Sequence, residues 1–120
     1  MKTKASSKAG FTLVEIMIVV AIIGLLAAIA IPNFVRARET SQKNACIKNL
    51  RELDGAAQTW ALENNKAPAD TYTLAILTPY LGRGSSGAIP ACPAKGIYSE
   101  GATVGVPPSC SLSVAGHMIQ

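Results

Sequence analysis

One stretch constrains this chain above all others: FTLVEIMIVVAIIGLLAAIAI, residues 11–31, apolar or small throughout except for Thr12 and the ionisable Glu15. As an α-helix rising about 1.5 Å per residue it measures roughly 31 Å, which matches the ~30 Å hydrocarbon core of a bilayer. A membrane-crossing helix is expected here. A cleaved secretory signal is the competing reading, and Ala28-Ile29-Ala30 has the A-x-A pattern of its cleavage site. Against that, the run before Ala28 is longer than the ~7–15 residues of a signal's apolar region, and a carboxylate inside such a region is out of place. A carboxylate at the centre of a membrane helix costs roughly 2.5–3.5 kcal/mol, and less near an end, so it normally marks function. The bland alternative is that Glu15 snorkels to the interface.

The neighbours of Glu15 decide between these. Lys8-Ala9-Gly10-Phe11-Thr12-Leu13-Val14-Glu15 resembles the processing and assembly signal of type IV pilins and the related pseudopilins. That family shows a short basic leader ending in Gly, then Phe, then Glu as the fifth residue of the mature chain. The likeness runs on through residues 16–31 to Pro32 and the next helical segment, about half of the chain. It implies that a prepilin peptidase cuts between Gly10 and Phe11 on the cytoplasmic side and that the new amine of Phe11 is methylated. Gly before the cut presents no side chain to a peptidase cleft. An α-amine with a pKa near ~8 is largely protonated at neutral pH, and Phe11 lies four positions from Glu15, or opposite the Glu15 of a neighbouring chain in a packed bundle. Stranding one partner of a buried ion pair costs several kcal/mol although the pair itself adds little, so the pair would set register.

The same resemblance implies that helical order is lost over residues 24–32 in filaments. Pro32 lacks an N–H and its ring clashes with the carbonyl of Ala28, so a kink or loosening is expected there. Gly24 and Ala28 also have the small-xxx-small spacing that lets membrane helices approach closely.

Beyond Pro32 the pattern becomes amphipathic. Cys46, Leu50, Leu53, Ala57 and Trp60 recur at spacings of 4, 3, 4 and 3, while Lys43, Lys48, Glu52, Asp54 and Glu63 take the other faces. Asn64-Asn65 and then Pro68 should end this helix. Trp60 reads as a core anchor rather than a ligand platform. In residues 66–120, residues 72–80 (YTLAILTPY) suit either a short helical turn or a strand. Ile97-Tyr98-Ser99 and Ala102-Thr103-Val104 suggest a hairpin, with residues 111–114 as a third strand. The expected fold is therefore α+β and pilin-like, with a long N-terminal helix, half membrane-spanning and half amphipathic, packed against a small antiparallel sheet. The expected segments are a leader over 1–10, a transmembrane or filament-core helix over 11–31, an amphipathic helix over 32–65 and a small β-rich head over 66–120.

Cys92 and Cys110 flank the expected hairpin with 17 residues between them. A disulfide there would add about 3 kcal/mol by chain-entropy arguments and needs an oxidising compartment; many pilins carry one bounding a C-terminal region, so the resemblance agrees. Cys46 is left over and reads as a buried thiol acting as a small hydrophobe, with a bond between subunits as the alternative. Lys2, Lys4 and Lys8 favour a cytoplasmic N-terminus, Arg36, Arg38 and Lys43 weaken the contrast, and the cysteine pair favours an exterior head.

Charge excludes one class of partner. The net +4 comes largely from the leader, because removing its three lysines leaves eight basic against seven acidic side chains, far from a clustered nucleic-acid footprint. The string Gly82-Arg83-Gly84-Ser85-Ser86-Gly87 is a literal G-x-G-x-x-G, but Pro79 precedes it and Ala88-Ile89-Pro90 follows, leaving no room for the strand and helix that a dinucleotide needs. His117 is the sole histidine, no Cys-x-x-Cys or other metal spacing occurs, and no nucleophile–base arrangement is evident. No enzyme activity, metal or other cofactor is expected. Calcium, common in major pseudopilins, has only Asp70 and Glu100 for carboxylate ligands after Lys66.

The resemblance therefore implies a pilus-like filament subunit whose partners are copies of itself, the prepilin peptidase and methyltransferase, the inner-membrane assembly machinery and the membrane. It would be a single-pass precursor in the bacterial inner membrane, then part of an extracellular or periplasmic filament, with surface attachment as the default role. The alternatives are a major pseudopilin of a type II secretion system and, from a different class, a signal-anchored surface binding module that does not polymerise.

Overall fold

The computed structural model describes residues 10–82 and 88–119. Its elements are one long helix α1 (Leu13–Glu63), a 3-10 helix over Leu74–Tyr80, two short strands β1 (Tyr98–Ser99) and β2 (Ser109–Cys110), and a 3-10 turn over Ser113–Ala115. The expected combination of a long N-terminal helix with a small antiparallel sheet is present. The chain divides into two compact units, Met1–Arg36 and Ala37–Gln120.

The described part of the first unit is helix from Leu13 onward, and its large apolar side chains, among them Ile16, Val20, Ile23 and Leu26, all face outward. This is the one segment among the described residues long and apolar enough to cross a membrane. α1 runs through Pro32 without a break in its helical assignment. The kink or loosening expected there does not appear as an interruption of the helix in the single chain.

The second unit is built on the apolar stripe of α1. Cys46, Leu50 and Leu53 are completely buried, with Ala56, Ala57, Trp60 and Ala61 continuing the stripe. Across from them lie Tyr72, Leu77, Leu81, Tyr98 and Val104. The stripe read from the periodicity is the core. α1 stops in a Schellman arrangement: Asn65 takes a positive φ of 50°, Lys66 N–H donates to the Ala61 carbonyl at 2.8 Å, and Asn65 N–H to that of Leu62 at 3.4 Å. Asparagine tolerates the left-handed conformation better than other non-glycine residues, which is why the helix ends here.

The chain then crosses the stripe as a 3-10 helix, with Leu77 fully buried, resolving the helix-or-strand ambiguity of residues 72–80. The strand pairing differs from expectation. Residues 97–99 do not pair with 102–104; β1 pairs antiparallel with β2, Tyr98 opposite Cys110 and Ser99 opposite Ser109. The amides that a 97–104 hairpin would use are taken elsewhere. Val104 N–H donates to the Asp70 carbonyl at 2.9 Å and Gly105 N–H to that of Pro68 at 2.8 Å. Gln58 holds the same loop through Val104 O at 2.9 Å, and Gly101 N–H donates to the Tyr72 hydroxyl at 3.1 Å. Gly101 is required in this loop because a side chain would run into the carbonyl oxygen of Val106. The third strand expected at 111–114 is instead the 3-10 turn, closed by Gly116 at φ 86°. Residues 83–87 of the G-x-G-x-x-G string lie outside the described residues.

Burial sets the first prediction. Leu50→Ala or Leu53→Ala should lower the unfolding free energy of the second unit by about 2–5 kcal/mol, whereas Leu62→Ala, at a position 81% exposed, should stay within about 0.5 kcal/mol of the parent. Denaturant unfolding of the detergent-solubilised chain, followed by the fluorescence of the buried Trp60, measures all three.

Candidate functional site

Two groups of residues carry chemistry, one in each unit. At the N-terminus, Gly10 and Phe11 precede the first turn of α1, with Phe11 exposed and no atom near the position a Gly10 side chain would occupy. Thr12 and Glu15 satisfy each other's backbone. The Thr12 N–H donates to a Glu15 carboxylate oxygen at 3.1 Å, and the Glu15 N–H donates to the Thr12 hydroxyl at 3.2 Å. This reciprocal capping box neutralises two of the four N–H groups that a helix start leaves unpaired. Glu15 thus has an intrachain partner in the Thr12 amide, distinct from the Phe11 amine expected from the sequence. Thr12-Leu13-Val14-Glu15 has the T-x-x-E signature of such a box, so the signal was legible; charge pairing drew attention from it.

In the second unit, Cys46, Cys92, Cys110 and His117 converge. Their ligand atoms all lie within 4.8 Å of one another, and all four residues are buried. Cys46 comes from the stripe of α1, Cys92 from the turn before β1, Cys110 from β2, and His117 from just beyond Gly116. The three cysteines are free thiols in this structure, so the Cys92–Cys110 pair expected as a disulfide shares its space with a third sulfur and an imidazole. Cys46, read as core packing, is buried as expected but in polar company. His117, noted in the sequence only as the sole histidine, has its Nδ1 3.9 Å from the Cys92 sulfur.

The surroundings of each sulfur differ. Burial pushes the Cys46 thiol up to about 12, against the Tyr98 hydroxyl, which acts in the opposite direction. Asn49 Nδ2 donates to that hydroxyl oxygen at 3.2 Å, which leaves the phenolic hydrogen for Cys46. Burial also pushes Tyr98 above its ordinary value. Burial would raise Cys92 as well, but the N–H groups of Ala94 and Gly96 are directed at its sulfur, and with its neighbouring thiols they hold it below the usual range. The turn that aims them is closed by Lys95 N–H donating to the Cys92 carbonyl at 3.0 Å, with Lys95 at φ 65°. Gly96 has to be glycine for space, since a Cβ there would stand 2.5 Å from the Cys110 sulfur and 3.2 Å from that of Cys92.

Comparison with known proteins bears on the first group. The prokaryotic N-terminal methylation motif matches residues 5–31. Over 57 residues the chain is 49% identical to the type IV major pilin protein PilA of Myxococcus xanthus, an alignment covering 48% of this chain and 26% of that protein. Over 68 residues it is 35% identical to the type II secretion system core protein G of Klebsiella pneumoniae, covering 57% of this chain and 49% of that one. The corresponding Escherichia coli protein gives 35% identity over 68 residues, 57% of this chain and 47% of that one. The chain therefore spans from a quarter to about half of the length of these relatives. No solved structure matches it. The similarity to N-methylated pilins and pseudopilins read from residues 8–15 is borne out.

The capping box predicts a separation of two roles. Glu15→Gln keeps an acceptor for Thr12 N–H and should retain the first turn, while Glu15→Leu, or Thr12→Val, should weaken it by about 1 kcal/mol. Amide hydrogen exchange of residues 12–16 in detergent micelles reads this as faster exchange in the Leu and Val variants only.

Proposed function

We propose that this chain is a structural, non-enzymatic subunit of a type IV pilus-like filament. It is made as a membrane-inserted precursor, cleaved after Gly10, methylated on the Phe11 amine, and polymerised through its N-terminal helix. The observation that carries this reading is the methylation motif over residues 5–31, together with 49% identity to a major pilin over 57 residues. The physics of the first unit supports it. A helix whose large apolar side chains all face outward needs lipid before assembly and other copies of the same helix after it. Without a hydrophobic drive between helices in lipid, close approach at Gly24 and Ala28 and pairing of Glu15 with a neighbour's Phe11 amine would supply specificity. Release of helical order over residues 24–32 on packing, where Pro32 already withholds one hydrogen bond, belongs to the same proposal.

The likeness to type II secretion core proteins G supports a second reading, a major pseudopilin confined to the periplasm. The two part in where the assembled material is found. In the first reading the inner membrane holds the precursor and the cell surface holds the filament; in the second, loss of the chain abolishes protein export.

Intact mass and N-terminal fragmentation of protein recovered from sheared surface material and from membranes test the proposal. The expected result is a chain beginning at methylated Phe11 in the sheared fraction, with Glu15→Leu processed normally but depleted from that fraction at least tenfold. A chain beginning at Ile31, or an uncut chain confined to membranes, would overturn it in favour of a secreted or anchored module.

A further inference from the structure

We propose that Cys46, Cys92, Cys110 and His117 form a tetrahedral Cys3His site for a divalent d10 cation, zinc(II), that ties the amphipathic part of α1 to the C-terminal turns. Three thiolates and one imidazole are a donor set that structural zinc sites use, with Zn–S distances of ~2.3 Å and Zn–N of ~2.0 Å. In a tetrahedron with such bonds the donor atoms stand about 3.5–3.8 Å from one another. Here all four lie within 4.8 Å of one another, with the Cys92 sulfur 3.9 Å from His117 Nδ1. A small inward shift of side chains closes the shell, with no change of backbone pairing.

Packing alone does not account for this arrangement. A buried thiol can act as a small hydrophobe, but four soft donors arriving at one point from α1, a turn, β2 and the C-terminal segment is more than filling space requires. His117 is the one polar or charged residue in the buried set among the described residues, and its Nδ1 is turned to a sulfur. The surrounding groups are those that orient metal ligands. Ala94 and Gly96 direct N–H groups at Cys92, and Asn49 and Tyr98 form a hydrogen-bonded relay to Cys46. Such outer contacts fix ligand geometry and stabilise thiolate charge. The absence of a side chain at Gly96 leaves the room that two sulfurs need. An open hollow of about 320 Å3, lined in part by Lys43, Ala94 and His117, lies beside the imidazole.

The balance of binding is simple. Three thiols give up their protons to solvent, the imidazole Nδ1 supplies a lone pair without losing one, and the loaded site carries one net negative charge. The Lys43 ammonium lies over Gly116, next to His117, where a Cβ would come within 2.7 Å of it, so a cation is at hand. Nothing in this proposal depends on polymerisation.

The test uses the full-length chain, with thiols trapped by alkylation in acid-quenched cells and metal measured on protein solubilised anaerobically in detergent. The expected result is about one zinc per chain and all three cysteines alkylated once a chelator has removed it. Cobalt(II) in place of zinc should give the thiolate charge-transfer and d–d absorption of a tetrahedral sulfur site. Cys46→Ala and His117→Ala should each weaken cobalt binding by at least the ~10–100-fold that follows loss of an outer contact. A core variant outside the cluster, Leu77→Ala, should lose stability and keep the cobalt spectrum, which separates ligation from folding. A disulfide between Cys92 and Cys110 in the trapped cellular protein, with only Cys46 alkylated, would overturn the proposal. So would three free thiols with neither zinc nor a cobalt spectrum.

Discussion

The second unit depends on one contact surface, the apolar stripe of α1 from Cys46 to Ala61. Its sheet is two residues by two, far too small to hold itself together, since an isolated two-stranded ribbon is marginal in water. What fixes the loops is what they lean on. Leu77 and Leu81 reach the stripe from one side, Tyr98 and Cys110 from another. Buried leucines contribute about 1.5–3 kcal/mol each, and the few long-range backbone hydrogen bonds, such as Val104 to Asp70 and Gly105 to Pro68, then choose among loop paths that would otherwise bury similar area. The helix acts as template and the turns as its complement.

The first unit follows the opposite rule. Its helix closes its own backbone hydrogen bonds, as any segment in hydrocarbon must, but it leaves its side chains without cover. Half of α1 is thus solved within the chain and the other half is posed as a problem for the surroundings. This division gives physical content to the filament reading, because the same uncovered surface suits lipid and suits a bundle of identical helices.

What could be read from the amino-acid order tracks the range of the forces involved. The stripe at Cys46, Leu50, Leu53, Ala57 and Trp60 was legible because helical periodicity is local, and the stop at Asn65 because left-handed backbone favours few residue types. The partner of β1 was not. It depends on amides at Val104 and Gly105 being claimed by carbonyls more than thirty residues earlier, and no short window carries that. The sulfur–imidazole cluster escaped for the same reason: its members stand at positions 46, 92, 110 and 117, with none of the short spacings by which metal ligands announce themselves. The expected disulfide set Cys46 apart because helical periodicity already gave it a place in the stripe, and only the fold brings it beside Cys92 and Cys110. At the N-terminus the family likeness pointed to Gly10, Phe11 and Glu15, while the bond between Glu15 and the Thr12 amide was also legible, in the T-x-x-E signature of a capping box.

That bond bears on how an unassembled subunit of the proposed filament would sit in a bilayer. A carboxylate with no partner would make each waiting monomer a high-energy species, prone to tilt out of the membrane or to be degraded. Here the acceptor is occupied from within, by the Thr12 amide, which the proposed cut after Gly10 would leave in place. In the proposed filament the carboxylate would exchange this neutral donor for a neighbour's charged terminal amine, so that it has a partner before assembly as well as after it.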